Sequence, residues 1–278
     1  MEARFTNVLF NLFLILTIII IALLTTICSQ IPVEISNSNI DFFSMLLPAI
    51  VKQKEALVEQ PNRQMSFKSS LPQQVLDALT GSMLGDGWIG FNNSRRDPNP
   101  TGNACYAMTL KNHEYIMYLW SKIYSPICTS TVPRPWPNPK TGLPASQYTF
   151  QTRSLVPLTL LHKIWYSWSP ELTKYVKILP LNIGELLTPI GLALWIQDDG
   201  YRAGNALMLC TECFTKSEVE LLISVLRDNF GLTSNIHERK QKGRHIGWRI
   251  YIRTENRDKL ISLVKPYFVP SMLYKLGL

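Results

Sequence analysis

The chain has 278 residues, 46% of them hydrophobic, with Lys+Arg 28 against Asp+Glu 20 and a net charge of +8. That apolar content excludes a wholly disordered chain, and the length admits one large domain or two small ones. The basic balance favours a polyanionic partner, and five cysteines without paired spacing argue against a disulfide framework.

In chain order, residues 1–30 form an apolar N-terminal segment in which Val8–Ile27, VLFNLFLILTIIIIALLTTI, is long enough to span a bilayer. Arg4 is the only positive charge before it, and no basic cluster follows closely to orient it. A membrane anchor and a signal peptide both fit, although no clear small-residue cleavage site follows. Residues 31–70 read as a linker with one weak helix at Phe42–Val51, and Met65 is a candidate internal start.

From Leu71 onward the pattern becomes regular. Pro72 opens a short apolar helix ending in Leu79–Gly87, LTGSMLGDG, and Thr188-Pro189 opens another ending in Leu192–Gly200, LALWIQDDG. Gly87 and Gly200 sit where left-handed C-caps would close the helices. Asp86 and Asp199 face the negative ends of the helix dipoles, a position adverse for stability but suited to holding a cation. A single copy reads equally well as an ordinary Asp-Gly turn. Two copies with like approaches and exits point to a duplication.

The segments between and after these helices repeat one order. After Trp88–Phe91 and a loop at Asn92–Gly102 come a strand at Ala104–Leu110 and a helix at Glu114–Tyr124. Pro126–Pro144 allows only an interrupted or edge strand. Gln147–Arg153 alternates, with Gln147, Thr149, Gln151 and Arg153 on one face, and a helix is expected at Val156–Trp168. Lys174–Pro180 then leads to the second motif. In the second half, a strand at Ala206–Cys210 precedes a helix with a Thr215/Glu218 capping box and a Gly231 C-cap. Asn235–Glu238 and Gly247–Arg253 form a hairpin around a basic turn at Arg239–Arg244, and Thr254 is expected to cap the last helix. Arg249, Tyr251 and Arg253 share the polar face of its second strand. The boundaries expected are 71–182 for the first repeat and 183–278 for the second.

Both motif stretches resemble the LAGLIDADG motif of homing endonucleases, with Asp86 and Asp199 at the position of the metal-binding acid. Gly81 and Gly85 match the family's close-contact glycines in the first copy, and Leu194 and Asp198 stand at those places in the second. Further marks are Thr211–Phe214 before a helix, Lys177 ahead of Pro180, and Ser271–Lys275. The resemblance implies an α+β, pseudo-twofold fold, a duplicated αββαββα unit with two antiparallel, saddle-like sheets and the motif helices at the centre. It also implies a monomer that hydrolyses both strands of a long, asymmetric DNA site with Mg²⁺ or another divalent cation. Asp86 and Asp199, with Gly85 and Asp198 beside them, would hold the metal. Such enzymes are often encoded within organellar introns, which points to a mitochondrion or, alternatively, a chloroplast. That setting adds a third reading of the apolar N-terminus, as a remnant of the host gene. An RNA maturase on the same fold, with host intron RNA as partner, is the other functional reading.

The polar strand faces are the expected groove-reading surfaces: Gln147, Gln151 and Arg153 in one half, Arg249, Tyr251 and Arg253 in the other. Arg239, Lys240, Lys242 and Arg244 are expected at phosphates, and Lys177 and Lys275 near the backbone beside the acids. Glu212 reads either as a water- or metal-orienting acid or as an exposed strand-end acid. His113, His162, His237 and His245 have no spacing for a histidine nuclease site. Cys210 and Cys213 form a lone C-x-x-C that lacks two further zinc ligands.

Overall fold

The structure, a computed structural model, describes residues 71–278 except 93–96, 139 and 141. The readings of Val8–Ile27, of the linker and of Met65 fall outside these residues. Among the described residues no helix is long and apolar enough to cross a membrane.

The first motif helix, α1 (Gln73–Leu84), leads into β1 (Trp88–Gly90), β2 (Cys105–Leu110) and α2 (His113–Tyr118), which continues as a π-helical turn over Leu119–Ile123. The strands β3 (Arg134–Trp136) and β4 (Gln147–Gln151) and helix α3 (Val156–Trp165) follow. A separate hairpin, β5 (Tyr166–Ser169) with β6 (Lys174–Lys177), and the short α4 (Ile183–Leu186) precede the second motif helix, α5 (Pro189–Asp199). Next come β7 (Gly200–Ala203), β8 (Ala206–Cys210), α6 (Lys216–Phe230), β9 (Ser234–Gln241), β10 (Arg244–Ile252) and α7 (Arg257–Val264), then a 3-10 turn over Pro270–Leu276.

The two antiparallel sheets have matching strand orders, β1-β2-β4-β3 and β7-β8-β10-β9. The fold is therefore α+β and internally duplicated, with α1 and α5 packed together at the centre. One continuous apolar core runs through both halves, from Val75, Leu79 and Met83 on α1 to Leu192, Trp195 and Ile196 on α5 and Leu222 on α6.

Several local expectations change. Helix α3 stops at Trp165, because Tyr166–Ser169 pairs with Lys174–Lys177 as strand. Aromatic side chains suit a pleated, half-buried surface better than another helical turn. Neither motif ends in a left-handed cap: Gly200 has φ −83° and ψ 150°, and Gly87 is absent from the positive-φ positions. These glycines serve close approach instead. A Cβ on Gly87 would lie 2.5 Å from the Ser82 carbonyl oxygen, and one on Gly200 2.6 Å from that of Ile196.

The basic turn also tightens. Arg239, Lys240 and Arg244 belong to strands, and only Lys242 (φ 50°) and Gly243 (φ 78°) form the turn, both left-handed as a two-residue primed turn requires. Thr254 makes no capping bond; it begins a short 3-10 segment, Thr254–Asn256, that feeds α7. The Thr215/Glu218 capping box and the left-handed Gly231 are present as expected.

Candidate active site and nucleic-acid face

The site is built on the seam between α1 and α5. Gly81 lies so close to Gly191 that a Cβ would stand 2.0 Å from the Gly191 carbonyl oxygen. One turn beyond Gly81, at the helix end, Gly85 lies against the Asp198 side chain, where a Cβ would meet the Asp198 Cβ at 2.5 Å. The contact partner of Gly81 is thus Gly191 and not the motif-equivalent Leu194. Absent side chains let the helices approach until backbone meets backbone, which sets where their C-terminal ends emerge.

Asp86 follows the end of α1, and Asp199 is the last residue of α5. Burial raises both carboxyls above the ordinary range, and for Asp199 the Asp86 charge adds to it, bringing that group to about 6. Lys177 and Lys275 oppose the rise at both acids. Asp86 itself reaches solvent at the rim, while surrounding protein still removes water from its carboxyl.

The two lysines mark the duplication most clearly. Lys177 Nζ donates to the carbonyls of Gly85 and Gly87, both at 3.1 Å. Lys275 Nζ donates to those of Ile196 (3.3 Å), Gln197 (2.5 Å) and Asp198 (3.0 Å). Each satisfies orphan carbonyls at a motif-helix end and sets a positive charge against the helix dipole. Burial lowers both ammonium pKa values, and the neighbouring acids pull them back up. In the described conformation these lysines are engaged with the motif backbone rather than extended outward.

Asp198 is held differently from the other acids. Its Oδ1 accepts from the Tyr115 hydroxyl at 2.8 Å, while its buried Oδ2 has no partner. Burial, and then the Asp86 charge, push this carboxyl well above the usual range. The Gly85 carbonyl is already an acceptor for Lys177. The desolvated Asp86 and Asp199 carboxyls and the orphaned Asp198 oxygen are donors of the type a divalent cation takes, since a hard, oxygen-seeking ion relieves both mutual repulsion and an unmet acceptor, although the three side chains do not converge in metal-holding geometry in this structure. Tyr115 was not singled out in the sequence, because only the folded chain brings it 83 positions along to Asp198.

On the first sheet, Gln151 is exposed and donates to Asn92 Oδ1 at 2.5 Å, and Gln147 pairs in register with Trp136. Arg153 lies past the end of β4, where its guanidinium donates to the carbonyls of Pro126 (2.7 Å) and Ile127 (3.4 Å). Register also brings Arg134 opposite Thr149, so Arg134 and the half-exposed Trp136 join the Gln147–Gln151 face. Their alternation about Pro135 was a signal hidden by the proline-rich context.

On the second sheet, Glu212 ties the polar face together. Its Oε1 accepts from Arg239 and from Arg249 Nε at 2.6 Å, while Arg249 Nη1 donates to the Tyr201 hydroxyl at 2.7 Å. Burial pushes the Glu212 carboxyl up, but the two arginines outweigh it and hold the group below its ordinary value. Glu212 is therefore a part-buried, arginine-pairing acid, which the sequence reading did not anticipate. Tyr251 stacks on His237 with ring centroids 4.9 Å apart, and Lys240 pairs with Glu238 at 3.0 Å. Lys242 and Arg244 are exposed at the hairpin tip, and Arg253 follows β10 and meets Glu255 at 3.4 Å. Among the described residues no group of three or more His, Cys, Asp or Glu side chains has metal-holding geometry, and Cys210 and Cys213 are in no disulfide.

Comparison with known proteins matches this arrangement. The chain is 28% identical over 215 residues to a cytochrome b mRNA maturase bI2 of Debaryomyces hansenii, covering 77% of each chain. It is 26% identical over 217 residues to the DNA endonuclease I-ChuI of Chlamydomonas applanata, covering 75% of this chain and 96% of that one. A solved structure described as the homing endonuclease I-WcaI bound to its DNA recognition sequence shares the fold, with TM-score 0.60 and 24% identity over 76% of this chain and 91% of that one. The pattern of the LAGLIDADG DNA endonuclease family matches residues 76–260, and the chain belongs to that family.

Proposed function

We propose that this homing endonuclease cuts both strands of one long, asymmetric DNA site as a monomer, with Asp86 and Asp199 each serving one strand. The observation that carries the reading is the pairing of two desolvated acids at the emerging ends of α1 and α5, each with a lysine behind it. Asp86 and Asp199 would hold divalent cations, with Mg²⁺ the first choice, and the Gly85 carbonyl and Asp198 beside them. When bound, such ions supply an activated water and charge stabilisation at the leaving oxygen.

The residues do the rest. The glycine seam fixes the separation of the two acids. Lys177 and Lys275 lower the cost of gathering negative charge there and stand ready for a backbone phosphate. Gln147, Gln151 and Arg153 read one half-site, and Arg249 and Tyr251 the other, while Arg253, expected from the sequence on the same face, lies past the end of β10 beside Arg202 and Arg257. Arg239, Lys240, Lys242 and Arg244 take phosphates along the long hairpin, since a two-stranded ribbon fits the major groove. The unequal chemistry of the two faces calls for a target that is only loosely palindromic. Residues 71–182 and 183–278 act as the two half-site units, and an organellar setting, mitochondrion or chloroplast, suits an intron-encoded enzyme.

Selection of cleaved molecules from a DNA library with Mg²⁺ finds the target. Asp86→Asn and Asp199→Asn should then each abolish double-strand cutting while leaving specific binding in place. Wild-type cutting of both strands by either variant removes the assignment. The maturase relative favours a second reading, assistance to splicing of a host intron RNA; a splicing assay with both variants separates it, because a splicing role does not need the acids.

A further inference from the structure

Outside the groove-reading face, three arginines converge on one shallow hollow of the second half. Arg202, Arg253 and Arg257 line it together with Lys275, over a floor of Leu207 and Ile252, and no carboxylate lines it. Two of these guanidiniums are set in place by backbone. Arg202 Nε donates to the Gly204 carbonyl at 2.6 Å and its head packs on Gly277, while Arg257 Nη2 lies 3.4 Å from the carbonyls of Leu276 and Gly277. Their acidic neighbours face water: Glu255, 3.4 Å from Arg253, is 63% exposed, and Asp258, 3.7 Å from Arg257, is 98% exposed. Such pairs neutralise little charge. Like charges gathered and pre-oriented in this way cost stability unless an anion sits among them.

The position selects the anion. Arg202 is three residues beyond Asp199 on β7, so at about 3.3 Å per residue the hollow begins about 10 Å from that acid. Lys275 borders both, lining the hollow and capping α5. A DNA strand advances about 3.4 Å per nucleotide, so a phosphate here lies within about three nucleotides of one at Asp199. We infer that the Arg202–Arg253–Arg257 hollow is a phosphodiester clamp that grips the DNA strand beside the cut served by Asp199. The inference rests on the DNA-cutting reading.

Among the described residues the clamp has no counterpart in the first half. The backbone N–H groups of Arg153 and Arg253 make equivalent bonds, to the Ile127 and Thr233 carbonyls. Counting from them, Pro157 stands in the place of Arg257. Counting from Gly87 and Gly200, the buried Ile89 stands in the place of Arg202. The Arg153 guanidinium is taken up by the Pro126 and Ile127 carbonyls. Among the described residues, only the strand cut at Asp199 therefore meets such a cluster of arginines.

The test uses the full 278-residue chain and a mixed-sequence duplex of about 30 base pairs, with binding measured against KCl concentration. Arg202→Gln and Arg253→Gln should each flatten the log–log salt slope by up to about one unit, with the melting temperature unchanged. Arg257→Lys, which keeps the charge, should leave the slope near wild type. Because Arg202 touches the C-terminal turn, the exposed Arg253→Gln decides alone if Arg202→Gln misfolds. A wild-type slope in Arg253→Gln overturns the clamp, and so does a loss seen only with single-stranded RNA of the same length. Absence of cutting by the wild-type chain would instead sink the endonuclease reading, while leaving the slope comparison legible.

Discussion

The two halves share a strand order but not a style of construction. The first is braced from within: its third strand has three residues, and an added hairpin, β5–β6, closes over a buried His162 flanked by Phe91, Tyr166 and Tyr175. The second lacks that hairpin and extends outward, with β9 and β10 reaching eight and nine residues and an arginine–glutamate lattice on the polar face. A duplicated fold can therefore divide its work, with one copy anchored by apolar packing and the other presenting charge.

The largest effect should come from the element that both halves share. Gly81→Val puts side-chain carbon into the Gly191 backbone, which cannot retreat without parting the helices, so a loss of more than about 3 kcal/mol is expected by chemical denaturation. Gly184 is a contrast outside the seam. A Cβ there meets only Val225 at 3.5 Å, and Gly184→Ala should fall within about 1 kcal/mol, on the stabilising side. If both glycines tolerate substitution equally, the halves are not joined backbone to backbone.

The next experiment separates the halves by pH. Burial lowers the His162 pKa from 6.5 to about 4, so the folded state keeps this ring neutral. The unfolded chain takes up the proton below about 6.5, and the folded chain only near 4. Stability is therefore flat above the first value and falls between the two, by about 3 kcal/mol at most. His162→Gln should remove that slope from melting curves recorded between pH 7 and pH 4. Position 262, the equivalent in the second half, holds an exposed Ser, so no matching slope is expected from that side.

The smallest effect concerns the second half's charged face. Arg249, held by Glu212 and Tyr201, should cost about 1–3 kcal/mol of binding when replaced by Ala and relax preference at one or two base pairs. Lys242→Ala, at the exposed hairpin tip, should weaken all sequences alike and flatten the salt slope by about one unit. Binding across single-base variants of the target tells them apart. Identical, position-independent losses would mean that the face does not read sequence.

Much of the fold was legible before folding, since each legible feature is local. The capping box at Thr215, the Gly231 cap, the alternation in β4 and β10 and the paired Asp-Gly helix ends depend on residues within a few positions of each other. What escaped depends on long-range juxtaposition. Gly191 gave no motif signal, because the motif aligns Gly81 with Leu194 whereas the packed helices bring Gly81 to Gly191. Tyr115 and Glu212 acquire their partners across 83 and 37 positions. Tyr166–Ser169 continued a helical apolar pattern and became strand because a partner segment was available.

The contact between Gly81 and Gly191 also bears on ancestry. At that one point of the joint main chain meets main chain, and the requirement is only that neither copy acquire a Cβ there. Each half could thus accumulate its own substitutions over its outward surface without disturbing that crossing. The shared axis is the sterically constrained part of the molecule, and the two arms outside it carry the differences between the halves.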